Sequence, residues 1–185
     1  MPTLLPIEKF LLFYAAPAVV ILSLLEAVVL SQRSQYDWRA FGVSMFDYVL
    51  RVVVTVLLPA GIVAPLVPWV TAHQLTSIAV DSLGTSLLLF IALEFFYYWL
   101  HRAGHQLRWF WVNHSIHHSP NQLNLAAAVR IGIFGKVTGT FVFFAPLVWL
   151  GFDAKLVGLA LTINLLYQFW IHATWLPKLG WLEGI

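Results

Sequence analysis

Five long apolar runs, separated by shorter polar stretches, set the layout of this chain. The first, residues 10–30 (FLLFYAAPAVVILSLLEAVVL), is 21 residues long, and a helix needs about 20 to cross a hydrocarbon core. It is too long for a secretory signal and no cluster of positive charge precedes it, so it reads as a retained span. A polar loop at 31–44 leads to a second run, 45–71, which holds Pro59, Pro65, Pro68 and Gly61. Proline inside a helix removes a hydrogen bond and kinks it, so this span should be bent, or irregular in its second half. After a short polar turn at 72–82, the third run covers 83–100 and continues without a breaker into His101. The fourth and fifth runs, 133–150 and 156–171, are joined by the short GFDAK connection, which predicts antiparallel neighbours. The tail, 172–185, is amphipathic and aromatic. The pattern predicts an all-α membrane helical bundle of about five transmembrane helices, with a helical His-rich segment at 101–130. One domain spans 1–185, with 1–82 as anchoring spans and the chemistry in 83–185.

Composition agrees with the pattern. Of 185 residues, 61% are hydrophobic and 10% charged, against about 25% charged in a soluble domain; mean hydropathy is +0.83. That excludes a soluble enzyme, a disordered chain and a coiled coil. The formal charge of +2 comes from 10 Lys and Arg against 8 Asp and Glu. It is too sparse a basic field to suggest nucleic acid. Without cysteine, disulfides, Cys-ligated iron–sulfur clusters and haem-thiolate chemistry are excluded within the chain. Any metal site must use nitrogen and oxygen donors.

Loop charge orients the bundle. Lys and Arg collect on the cytoplasmic side. The 31–44 loop carries Arg33 and Arg39, which places the N-terminus outside. Counting spans onward makes 101–130 cytoplasmic, with Arg102, Arg108, Arg130 and nearby Lys136. His172 then emerges on the same face as His101. The expected location is a multi-pass integral membrane protein of a bacterial inner membrane or the endoplasmic reticulum, with its histidines at the cytoplasmic face.

Seven histidines stand out against this scarcity of polar residues, and five lie within 101–118. His101 and His105 are four apart, which stacks two imidazoles on one helix face. Glu94 and Tyr98 share that stripe. A carboxylate inside an apolar span usually has a partner, so Glu94 is a candidate acceptor for a ligating imidazole's free N–H, or a ligand itself. His114, His117 and His118 follow at spacings of three and one, again on one side of a helix. Clustered imidazoles near a bilayer are unfavourable without a metal, and an all-imidazole set suits iron, zinc or copper. His73, alone, reads as structural, and Glu26 as an interfacial carboxylate.

The segment EFFYYWLHRAGH…WVNHSIHHS resembles the membrane-bound fatty acid hydroxylase/sterol desaturase superfamily, whose first two histidine boxes read His-x3-His and His-x2-His-His. The resemblance continues through Asn124 and Arg130 in HHSPNQLNLAAAVR and resumes at QFWIHATWLPKLGWLE, and it covers about residues 85–185. The Asn124/Arg130 segment and the Gln168, His172, Leu179 and Glu183 pattern look most like its alkylglycerol monooxygenase-like branch. It implies that His101, His105, His114, His117, His118 and His172 ligate a non-haem di-iron centre. It further implies O2-dependent hydroxylation or desaturation of a membrane lipid, with electrons from a donor protein or small reductant. Arg130 would hold a lipid phosphate or a carboxylate of the ligand shell, or pack structurally. The family's third box, another His-x2-His-His after Leu-Gly-x-Leu-Glu, is not in this sequence, which stops at Ile185. Six histidines are few for two irons. The expectation is a fragment of a longer protein, with natural truncation or ligands from a partner chain as alternatives. The rival classes are a non-catalytic metal- or haem-binding membrane protein and an inactive fragment. A zinc peptidase fits poorly, because HRAGH lacks the glutamate directly after its first histidine.

Overall fold

The structure is a computed structural model, and it describes residues 5–33, 36–57, 65–177 and 180–181. All regular structure among these residues is helical. Helix α1, Pro6–Arg33, is 28 residues long, with one π-turn at Leu11–Ala15. Helix α2, Trp38–Leu57, follows. It starts earlier than the expected loop at 31–44 allows. Asp37 makes the difference: its side chain accepts the Ala40 N–H at 2.9 Å and caps the first turn. The second apolar run is divided. Helix α2 ends at Leu57, and helix α3, Leu66–Ala72, begins beside Pro65. Pro59 and Gly61, the expected kink, lie outside the described residues.

Helix α4, Leu83–Gln106, is the longest unbroken element of the second half. Ser82 caps it by accepting the Thr85 N–H, and it carries both His101 and His105, as the unbroken run predicts. Leu107, in an extended conformation, turns the chain into helix α5, Arg108–His117. Short helices α6, Leu125–Ala128, and α7, Gly135–Thr138, come next, then a 3-10 turn at Thr140–Phe143 and helix α8, Ala145–Leu150. Helix α9, Ala154–Trp170, closes the order, with Asp153 accepting the Lys155 and Leu156 N–H groups. The fourth apolar run is therefore not the continuous span expected. Gly139 at φ 75° takes a left-handed conformation that ends α7, and Pro146 restarts the helix at α8. Hydropathy along 133–150 does not register these breaks.

Among the described residues, two helices are long and apolar enough to cross a membrane: Pro6–Arg33 and Leu83–Gln106. Only 11% of the apolar window in α4 is buried, unlike the core helix of a soluble protein. Leu87, Leu88, Ile91 and Phe95 all face outward. Those outward faces, with the composition, are those of a membrane protein. Helix α9, at 17 residues, falls just short of that length.

Two apolar clusters hold the helices together. One joins α3, α4, α8 and α9 through Val70, Leu89, Leu93, Phe144, Leu147 and Val157. The other sets Leu125, Val129, Phe169 and Ala173 against α1 and α2. The 74–78 strip is fastened across the end of α8. The Leu75 and Ile78 N–H groups donate to the Trp149 and Gly151 carbonyls, both at 2.9 Å, and Gln74 donates to Val148 and Phe152. Gly151 sits at φ 125°, and a Cβ there would lie 2.5 Å from the Thr76 carbonyl oxygen. Backbone on both sides leaves nothing to yield. Gly151→Ala is expected to destabilise the fold by about 2 kcal/mol or more. Thermal unfolding in detergent reads this out, and an unchanged midpoint would contradict it.

Candidate metal centre

The four-residue step between His101 and His105 places both rings over one face at the end of α4. Helix α5 then folds back along that end, because the single residue Leu107 is the whole connection. Gly104 permits the close approach: a Cβ on it would meet His114 Cγ at 3.0 Å and Cδ2 at 3.1 Å. The Nε2 atoms of His101, His105, His114 and His118 consequently meet in sequence. His105 lies 3.1 Å from His101 and 3.1 Å from His114, and His114 lies 3.1 Å from His118. All four ligand atoms fall within 4.8 Å of one another.

The other two histidines pair separately. Nε2 of His117 is 3.4 Å from Nε2 of His172, at the end of α9. Their Nδ1 atoms are each set by a backbone carbonyl, His117 by Arg130 at 3.0 Å and His172 by Gln168 at 2.9 Å. A carbonyl can only accept, so Nδ1 carries the hydrogen in both rings and Nε2 keeps its lone pair. Six imidazoles thus divide into a group of four and an oriented pair, with His114 and His117 on neighbouring turns of one helix.

This donor set suits a cation. Each Nε2 offers one hydrogen or one lone pair, yet those of His105 and His114 each face two neighbours at 3.1 Å, so the three contacts cannot all be well-aligned hydrogen bonds. Nitrogens 3.1 Å apart subtend about 95° at an ion about 2.1 Å from each. Four of the histidines lie in the last turns of α4 and α5, where unsatisfied carbonyls favour positive charge. Burial, reinforced by the neighbouring imidazoles His101, His118, His105 and His117, pushes the His114 ring down to about 3. Burial also holds His117 down, to about 4, against the bond from the Arg130 carbonyl and with help from His172. Both are neutral at physiological pH, the state that binds a metal.

The other expected residues serve differently. Glu94 is exposed and accepts from the amide of Asn164, which in turn accepts from Gln168. Seven residues of helix, about 10 Å of rise, separate Glu94 from His101, so sharing a stripe does not bring it to an imidazole. Tyr97 donates to Gln168 at 2.9 Å, which extends this polar chain across the α4–α9 contact. Asn124 is buried and caps α6 by accepting the Ala127 N–H at 2.9 Å. Arg130 is 4% exposed, and its guanidinium is taken up by protein: Nε donates to Ser44, Nη1 to Ser119 and Nη2 to the Ala40 carbonyl, at 3.2, 2.7 and 2.6 Å. His73 stacks on Trp69, with Nδ1 2.8 Å from the Trp69 carbonyl, away from the cluster.

Glu26 is not the interfacial group expected from its place near the end of a span. It is buried, and its carboxylate accepts the Leu125 N–H at 2.6 Å and the Trp175 indole N–H at 2.8 Å. It ties the segment after the second histidine box to the segment after His172. Asn113 is a supporting residue that no sequence signal marked. Its amide donates to the Ile131 carbonyl at 3.1 Å and accepts the Phe134 N–H at 2.8 Å, which anchors the turn after Arg130 against α5. Asp47 accepts the Gly132 N–H at 3.2 Å from the other side.

A cavity of about 780 Å³ opens beside the cluster, with His101 and His114 in its wall. Phe110, Phe141, Phe144 and Leu161 make much of the remainder apolar, and its size is that of a ligand site.

The model of the fatty acid hydroxylase family matches residues 86–185, which include all six of these histidines. The chain belongs to the fatty acid hydroxylase family. Curated relatives point to the alkylglycerol monooxygenase-like branch. The human alkylglycerol monooxygenase is 35% identical over 113 residues, 61% of this chain and 25% of the human protein. Its Danio rerio counterpart is 37% identical over 105 residues, 57% of this chain and 23% of that protein. The match thus spans about a quarter of the length of these relatives. No solved structure matches the chain.

Proposed function

We propose that the chain is the metal-binding part of an O2-dependent lipid oxygenase with a non-haem di-iron centre. The observation that carries this reading is the convergence of the four Nε2 atoms of His101, His105, His114 and His118 on a wall of an apolar cavity. These four histidines would hold one iron. His117 and His172 would hold the second, together with donors beyond these six residues. The bound iron pair supplies O2 reduction and attack on an unactivated C–H bond. One oxygen atom enters the C–H bond and the other leaves as water, with two electrons from a donor protein or small reductant and two protons. The protein's own residues set the conditions. The Arg130 and Gln168 carbonyls fix the two imidazole tautomers, and Gly104 lets α5 close on α4. The aromatic wall keeps water from a lipid chain lying beside His101 and His114.

The membrane arrangement belongs to the same reading. Helices α1 and α4 cross the bilayer, the remaining apolar segments pack with them as one multi-pass domain, and the histidines lie at the cytoplasmic face. A haem reading fits less well, since a porphyrin needs one imidazole on each of its two faces and here four crowd one point.

Two measurements test this. Iron-loaded protein in bilayers, given an alkyl or acyl lipid and a reductant under 18O2, should yield product with one labelled oxygen. Unlabelled or absent product from iron-replete protein would overturn the reading. Gly104→Ala should drive the His114 ring out of line and weaken metal binding about tenfold or more, as measured by competition with a chelator. Unchanged affinity would show that the close approach of α5 is not needed.

A further inference from the structure

Helices α4 and α9 run side by side toward the histidines, and their contact changes character on the way. Far from the cluster it is apolar, with Leu89, Leu93 and Val157 in one buried group. Nearer the cluster it is polar. The Tyr97 hydroxyl donates to Gln168 Oε1 at 2.9 Å, Gln168 Nε2 donates to Asn164 Oδ1, and Asn164 Nδ2 donates to Glu94 Oε1. Each group donates to the next, so the bonds share one direction and end on a carboxylate, which only accepts when ionised. Asn164 is 1% exposed. A buried amide is costly unless it is bonded, and a leucine would fill its place without that demand. Two members of the chain are amides, whose hydrogens do not ionise, so it orients groups and does not carry protons.

What these bonds fix is register. His101 lies one turn beyond Tyr97 on α4, and His172 lies one turn beyond Gln168, just past the end of α9. Gln168 enters twice: its side chain meets Tyr97, and its backbone carbonyl accepts the His172 Nδ1–H at 2.9 Å. Apolar contacts are non-directional and tolerate sliding, whereas a buried amide accepts only the register that meets its partners. A slip of one residue would move His172 about 1.5 Å along the axis and about 100° around it, while metal–ligand distances hold to about 0.2 Å. We infer that Asn164 and Gln168 are positioning residues: by locking α9 to Glu94 and Tyr97 of α4, they bring His172 to His117 and so complete the second half of the metal centre. The inference rests on the oxygenase reading only for the iron that this pair would hold, not for the register itself.

The sequence has no cysteine, so spin labels can be attached selectively at Phe95→Cys and Tyr167→Cys, both outward-facing positions. With the full chain in detergent and free of metal, pulsed EPR should give one narrow distance between the labels. Gln168→Leu and Asn164→Leu should shift or broaden it. Glu94→Gln, whose amide oxygen still accepts from Asn164, should leave it narrow. Anaerobic titration with iron(II) is the second readout. Gln168→Leu should weaken the site that holds His117 and His172 by about tenfold or more, while the four-histidine site keeps its affinity. A merely structural contact would lower the unfolding midpoint without separating the two sites. The proposal is overturned if a folded leucine variant keeps the wild-type distance, if Glu94→Gln behaves as the leucine variants do, or if both leucine variants fail to fold. In protein that binds iron, it is also overturned if both sites weaken together or neither does. A wild-type protein that takes up no iron but shows the distance change leaves the locking of α9 standing and the oxygenase reading fallen. Two iron sites with an unchanged distance do the opposite.

Discussion

Replacing His114 with alanine is expected to remove most bound metal and to lower lipid oxygenation by at least about 100-fold. His114 is the best single probe because its Nε2 contacts those of both His105 and His118, so it links the ring pair of α4 to the end of α5. Loss of that ring leaves three donors and opens the side next to the cavity. The fold should survive, since the ring is only half-buried and alanine keeps the last turn of α5 helical. His73→Ala provides the comparison. Its ring packs on Trp69 far along the chain from the cluster, and metal content and turnover should stay at wild-type levels. Metal analysis of the two variants side by side decides the matter; equal metal in both would remove His114 from the centre.

The second large effect concerns stability. Arg130→Met is expected to destabilise the protein by on the order of 3 kcal/mol, because three acceptors, buried Ser44, the Ser119 hydroxyl and the Ala40 carbonyl, lose a charged donor together. The damage should spread to the metal through His117, whose Nδ1 donates to the Arg130 carbonyl. In the folded fraction, however, the KM for lipid should be unchanged, since no part of the guanidinium is left for a substrate. A thermal shift measured together with KM separates the roles. Normal stability with a raised KM would return Arg130 to the substrate side.

The histidines that converge were legible in the sequence as a cluster, and their arrangement less so. Helical spacing alone put His101 with His105 and His114 with His118, because a 3.6-residue period is a local property. The same rule overreached with Glu94, which shares the stripe but stands too far along the axis. Nothing local announced that His117 would leave its neighbours and pair with His172, 55 residues on. Glu26 and Arg130 show the same limit. One meets Leu125 from 99 residues away and the other meets Ala40 from 90, so Glu26 reads from sequence as interfacial and Arg130 stays open between a substrate, ligand-shell or packing role until the tertiary contacts place both in the interior. The fourth apolar run failed for a different reason: hydropathy is blind to Gly139 and Pro146, which set the backbone rather than the polarity.

The central claim is that these histidines form an iron centre, and X-ray absorption of protein purified from iron-supplied cells tests it most directly. The expected result is stoichiometric iron with only nitrogen and oxygen in its first shell, at about 2.1 Å, and the outer-shell signature of several imidazoles. This signature should collapse in His114→Ala. A folded protein that takes up no iron, or one whose iron shows no imidazole scattering, would contradict the claim.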